Sequence, residues 1–221
     1  MWWNINKRRL WLVVAIVTCC CVHTVAQDFK TVIRQVHQRY TTLDTLFARM
    51  RLVTYDSAAT TPRTSEKIEI RKVGRNFLYH YGDLLLMLNG QCLIVINAEN
   101  KLIQYAPQNK DALMPDIARQ NLDSLLNMYD EPLFVDREDA VVQYRIERNA
   151  SITIDLWIDL ETMFIRRTEY RYPTGERVTL AIEHFDPHAL LDAGLFRESH
   201  YVVRNGNGWK PAPGYEGYEV Q

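Results

Sequence analysis

Apolar and polar side chains alternate through most of the chain after residue 42. The segment SEKIEIRK sets Ile68 and Ile70 between charged neighbours, and NFLYHY alternates Phe77, Tyr79 and Tyr81 with Asn76, Leu78 and His80. SITIDLWID sets Ile152, Ile154, Leu156 and Ile158 against Thr153, Asp155 and Asp159. A period of two is the signature of a strand with one buried face. The pattern predicts strands over Thr45 to Tyr55, through SEKIEIRK, NFLYHY, LLLML and CLIVI, and in a short segment ending at Tyr105. Four more follow in AVVQYRIE, SITIDLWID, TMFIRRTEYRY and RVTLAIEHF, and a last one in SHYVVR. The turns are short, so the strands run as an antiparallel meander, and Asn89-Gly90 reads as a type I′ hairpin turn.

Helical spacing is confined to a few places. Phe29, Val32, Ile33, Val36 and Tyr40 form one stripe behind Asp28, a good N-cap residue. Leu122, Leu125, Leu126 and Tyr129 share a face of a short helix that interrupts the meander between Pro107 and Pro132. Asp186-Pro187 starts a helical turn or two over DPHALLDAGLF. Phe47 and Met50 fit a continuation of the first helix as well as a strand, and the β-branched Thr41, Thr42, Val53 and Thr54 favour the strand. The overall class is α+β, mainly β, built on a curved antiparallel sheet.

The hairpin DLLLMLNGQCLIVIN departs from alternation. Leu84 to Leu88 and Leu93 to Ile96 are apolar on both faces, so each side of this part of the sheet needs a cover. In a strongly curved sheet one side faces an interior, filled by side chains or left for a ligand, while another segment covers the other side.

The first 26 residues stand outside this pattern. Lys7, Arg8 and Arg9, an apolar stretch from Leu10 to Cys21, and the small-x-small end Thr24 to Ala26 make a secretion signal cut after Ala26. Lipidation at Cys19, Cys20 or Cys21 is the alternative, and it would tether the protein to a membrane. Cleavage after Ala26 leaves Cys92 as the single cysteine, with no internal disulfide available, so the domain relies on its core. Residues 27–204 form one domain, and the Gly- and Pro-rich segment 205–221 reads as a mobile tail. No later run reaches the about 18 apolar residues of a membrane helix.

The leader carries basic residues and no acidic ones, so the mature chain is more acidic than the whole chain's net charge of −1. That excludes a broadly basic nucleic-acid binder. Arg166, Arg167 and Arg171, like Asp155 and Asp159, read as solvated strand residues. His184, Asp186 and His188 have metal-like spacing, but Pro187 breaks the strand on which they would share a face. Cys92 with His80 is the remaining nucleophile-base pair, and its apolar strand makes it packing. The segment Asn149 to Ser151 fits a glycosylation sequon, placed in a tight turn. G-x-S-x-G, H-E-x-x-H and phosphate-cradling Gly runs do not occur. The chain is not read as an enzyme, and no cofactor or metal is implied.

Several motifs point to one family. They are Arg71, Lys72, Asn76 and Phe77 in KIEIRKVGRNFLYHY, then Asn89, Gly90 and Leu93 in the apolar hairpin, and Gly175, Leu190, Leu191 and Phe196 towards the end. In this order, after a leader and an amphipathic helix, the chain resembles the periplasmic lipoprotein carriers, the LolA-like family of the LolA/LolB superfamily, and their outer-membrane acceptor relatives. Two positions depart from the family pattern. Lys72 is followed by Val73 where a proline is usual, and Leu93 and Ile94 stand where a tryptophan is common.

The resemblance implies an unclosed β-barrel with a helical lid, enclosing an apolar cavity that receives the acyl chains of a lipoprotein or another lipid. The cavity residues it suggests are Phe47 and Met50 on the first strand, Ile68 and Ile70 on the second, Phe77 and Tyr79 on the third, and Leu84 and Leu86 on the fourth. Leu93, Val95, Ile154 and Leu156 complete them. Arg71 or Lys72 would be the basic residue of uptake. The implied protein is a periplasmic monomer whose partners are lipoprotein or lipid acyl chains, an inner-membrane release complex and an outer-membrane acceptor. The alternative is a tethered interaction or assembly protein with a filled core.

Overall fold

In the computed structural model the described residues are 28–107, 132–148, 152–206 and 208–221. The leader, the helix expected between Pro107 and Pro132, and the Asn149 turn lie outside them. The described part opens on helix α1 (Phe29–Thr42), whose N-cap Asp28 accepts from the backbone N–H groups of Lys30 and Thr31. Strands β1 (Thr45–Tyr55), β2 (Thr64–Val73), β3 (Asn76–Tyr81), β4 (Leu84–Leu88), β5 (Cys92–Asn97) and β6 (Leu102–Pro107) follow. Then come β7 (Leu133–Glu138), β8 (Val141–Arg148), β9 (Ile152–Asp159), β10 (Phe164–Arg171) and β11 (Arg177–Asp186). The end of the chain forms 3-10 turns at Ala193–Phe196 and Glu198–His200 and the strands β12 (Val202–Asn205), β13 (Gly208–Pro211) and β14 (Glu219–Val220).

Among the described residues, twelve strands make one curved, unclosed sheet in the order β14-β6-β5-β4-β3-β2-β1-β11-β10-β9-β8-β7. Two meanders, β1 to β6 and β7 to β11, are joined by the antiparallel pairing of β1 with β11. The predicted first strand matches β1 in full. A bulge between Arg49 and Met50 bends the seam between the meanders.

Each meander is covered on a different face. On β8 and β9, Val142, Tyr144, Ile146 and Ile158 pack under Phe29, Val32 and Val36 of α1. This surface is called the helix face. On β3 to β6 the opposite surface carries Leu78, Met87, Cys92, Ile94, Ile96 and Ile103, and residues 195–220 pack on it through Leu195, Phe196, Tyr201, Val202, Trp209, Tyr215, Tyr218 and Val220. This is the strap face.

Four expectations change. The segment 205–221, expected as a mobile tail, is a packed strap; β14 runs parallel to β6, and Tyr105 N–H donates to Gln221 O at 2.8 Å. Its aromatic residues, spaced among Gly and Pro, bury apolar area that a composition count hides. The helix expected after Asp186 is a 3-10 turn starting at Ala193, capped by Asp192 instead. The apolar hairpin does not close in a type I′ turn, since neither Asn89 nor Gly90 has a positive φ. Asn89 replaces that geometry with its side chain: Oδ1 accepts from the N–H groups of Gln91 and Cys92, both at 2.8 Å, and Nδ2 donates to Phe196 O at 2.9 Å. The turn is thereby tied to the strap.

Finally, Asp155 and Asp159 do not face water. Asp155, fully buried, accepts from Arg145 Nε at 2.8 Å and Nη2 at 3.1 Å, and from Arg171 Nη1 at 2.9 Å. Buried Glu169 accepts from Arg167 and from Arg171 Nε at 2.9 Å. The arginines expected as free surface residues lie over these carboxylates. Cross-strand placement of Arg145, Asp155 and Glu169 in one row makes the pairing possible, and a single-strand pattern cannot show it. Asp159 accepts the N–H groups of Glu161 and Thr162, both at 3.0 Å, and Arg166 Nε at 3.0 Å. Burial pushes its carboxyl up, but these donors outweigh burial and hold it below the usual carboxylate range. A depressed folded-state value adds stability above the unfolded pKa that is lost as pH falls through the folded one. Below about pH 4, the ordinary carboxylate value, Asp159→Asn is therefore expected to flatten the acid-side loss of stability, read by urea unfolding at each pH.

Candidate functional site

The helix face of β2 to β5 is apolar, and the register arranges it in three rows. Phe185, Ala48, Ile70, Tyr79, Leu86 and Val95 are successive cross-strand partners from β11 to β5. Beside them run Ile182, Met50, Ile68, Tyr81 and Leu84. The third row is Leu46, Lys72, Phe77, Leu88 and Leu93. The two faces of the apolar hairpin differ in burial: Met87, Cys92, Ile94 and Ile96 are buried under the strap, whereas Leu86, Leu88, Leu93 and Val95 are half-buried and Leu84 is 41% exposed. The hairpin is greasy on both sides because the strap covers one side and the other belongs to this apolar wall.

The register brings together Met50, Ile68, Ile70, Phe77, Tyr79, Leu84, Leu86, Leu93 and Val95. Ile154 and Leu156 share their face but support α1 further along the sheet. Phe47 does not join them. It lies on the strap side, with the guanidinium groups of Arg71 and Arg49 at 5.2 and 5.6 Å from its ring. Period two allows Phe47 or Met50 on a given face but not both.

The two basic candidates also separate. Arg71 is on the strap side and donates to Glu69 Oε2 at 2.7 Å. Lys72 stands in the apolar row between Leu46 and Phe77, and its Nζ donates to Leu43 O. Lys72 is thus a cation at the border of the apolar face, close to the end of α1. Burial of the tyrosines on this face raises Tyr79 above the ordinary phenol value.

Where α1 ends, Met163, Phe164, Ile165, Ile182, Phe185 and Pro187 line a cavity of about 420 Å³ with Arg39, Glu161, Thr162 and Arg166. Tyr40 packs edge-on against Phe164 at 5.2 Å. Pattern reading missed this cavity, because its residues come from two strands, a turn and the end of α1. Phe185 and Ile182 also begin the first two apolar rows, so the cavity and the wall are continuous.

The competing chemistry is placed differently. Asp186 accepts from His188 N–H at 2.9 Å within a local turn, and His184 lies beside the Phe47 ring. Among the described residues no group of three or more His, Cys, Asp or Glu side chains has metal-binding geometry. Burial, and then the neighbouring Glu198 carboxylate, push the Cys92 thiol up to about 11. Cys92 is expected to resist iodoacetamide at pH 8 in the folded protein and to react fully in urea, as followed by mass shift.

No family profile and no curated protein sequence matches the chain. Solved structures do. An uncharacterized conserved protein from Thermus thermophilus is similar at a TM-score of 0.49 and 12% identity, over 77% of this chain and 94% of that one. The lipoprotein LppX of Mycobacterium tuberculosis is similar at 0.43 and 11%, over 74% and 97%. A LolA superfamily protein from Nitrosomonas europaea is similar at 0.36 and 11%, over 78% and 99%. The likeness is one of fold.

Proposed function

We propose that the protein is an exported carrier that holds the acyl chains of a lipid or lipoprotein against the helix face of β2 to β5 and moves them towards an outer membrane. The observation that carries this reading is the three register-aligned, mainly apolar rows, half-buried where they cross β3 to β5 and continuous with the cavity at Phe164 and Phe185. Apolar wall suits acyl chains because it makes no directional demands: each methylene removed from water contributes about 0.8 kcal/mol, whatever the chain length or branching. Lys72, at the border of the wall, is the basic residue of uptake in this reading, where an anionic headgroup or cargo backbone meets it. The protein works as a periplasmic monomer, loaded at an inner-membrane release complex and emptied at an outer-membrane acceptor.

The test is native mass spectrometry of the protein purified from a bacterial periplasm, with a denatured spectrum and an organic extract. Lipid or lipoprotein released on denaturation is the expected result. A clean unliganded mass, under conditions where a known carrier keeps its lipid, overturns the reading in favour of a filled-core interaction protein. The same spectrum distinguishes a chain starting at Gln27 from one acylated at Cys19, Cys20 or Cys21.

A further inference from the structure

We propose that Met163 is the end wall of the cavity at the end of α1 and sets the length of the acyl chain that the protein accepts. The proposal rests on the acyl-chain reading above and adds a selectivity that the open rows of the sheet do not supply. Apolar side chains standing on strands take a chain of any length. A length limit needs a closed end, where one methylene too many has no room.

Among the described residues, four non-glycine residues have positive φ: Ala58, Lys101, Asp139 and Met163. The first three are exposed in turns, and Met163 alone of them is half-buried. At φ 56° its Cβ crowds the backbone, and glycine or asparagine is the usual residue in such a place. The conformation is held from several sides. Asp159 accepts the N–H groups of Glu161 and Thr162 through its carboxylate, both at 3.0 Å, and that of Met163 through its carbonyl at 2.8 Å. Phe164, the next residue, already pairs with Asp159 in the sheet. The β9–β10 connection is therefore a fixed wall, and it keeps a long side chain where glycine would sit with less strain. Strain retained at so constrained a position points to a task for the side chain.

The task follows from where Met163 lies. It packs with Leu160 on the cluster under α1 and, unlike Leu160, also lines the cavity. Ile182 and Phe185 belong both to the lining and to the apolar rows, so a chain lying on the wall enters past them. In the sheet β10 lies beyond β11 as seen from β1 to β5, which puts the start of β10 and Met163 on the far side. The cavity of about 420 Å³ holds roughly fourteen groups of water size, about 30 Å³ each, which is room for one chain end. Methionine suits this wall, because its unbranched, polarizable side chain adapts to the methyl end that meets it.

The test is displacement of N-phenyl-1-naphthylamine from the full mature chain by saturated fatty acids of even length, octanoate to stearate. Wild type, Met163→Gly and Met163→Ala are compared. The wild type is expected to prefer one length, with affinity falling about tenfold for two carbons more. Both variants remove wall, and each is expected to move the preferred length up by about two to four carbons. Melting curves separate strain from packing. Met163→Gly is expected to melt about 2–4 °C above Met163→Ala, the reverse of the usual order, because only glycine relieves the φ. A wild-type affinity that climbs with length without a maximum, a length profile unchanged in both variants, or Met163→Gly melting below Met163→Ala overturns the proposal and leaves the acyl-chain reading in place. If the wild type binds no fatty acid, the acyl-chain reading falls and the proposal with it.

Discussion

Met87→Ala is expected to lower stability by about 2–5 kcal/mol, one of the largest single effects available in this chain. Met87 has no exposed surface and is enclosed by the strap, where Leu78, Ile94 and the residues around Phe196 and Tyr201 meet it. Truncation removes the transfer energy of the side chain and leaves a void that strands on one side and 3-10 turns on the other cannot readily close. In a domain of this size such a loss lowers Tm by roughly 5–15 °C. Urea unfolding monitored by tryptophan fluorescence measures it. A loss below about 1 kcal/mol would mean that the strap does not seal this face in solution.

Leu86→Glu, one position away, is expected to do the opposite. Its side chain points to the helix face, half-buried between Tyr79 and Val95. A carboxylate there still reaches water, so the fold is retained at a cost of about 1–2 kcal/mol, whereas an acyl chain laid along the row would have to desolvate the charge. Retention of lipid by the purified protein is expected to fall by at least about tenfold. Leu93→Glu, in the neighbouring row, should behave alike. If either variant unfolds without a prior loss of lipid, the wall is a filled core and the carrier reading fails. Two adjacent residues on one strand therefore separate stability from binding.

Much of the fold was legible in local pattern. Period two marked the strands because a half-buried strand alternates, and the first strand matched to the residue. The stripe Phe29, Val32, Val36 marked the face of α1 that packs on β8 and β9. The candidate wall was legible for the same reason: once the hairpin was seen to be apolar on both faces, every second residue on successive strands belonged together. Phe47 was grouped with Met50 although alternation along the strand puts the two on opposite faces. The strap was missed because its apolar residues are single aromatics among Gly and Pro, which carry no period.

The sequence by itself determined the class of the fold, the position of most strands and the need for two covers over the hairpin, since each of these follows from the spacing of side chains along one chain. Only the tertiary structure decided what the covers are, and which face Arg71, Lys72 and Phe47 take. It also buried Asp155 and Glu169 under arginines. Those outcomes depend on register between strands far apart in sequence, and register is set by the summed burial of all the strands together.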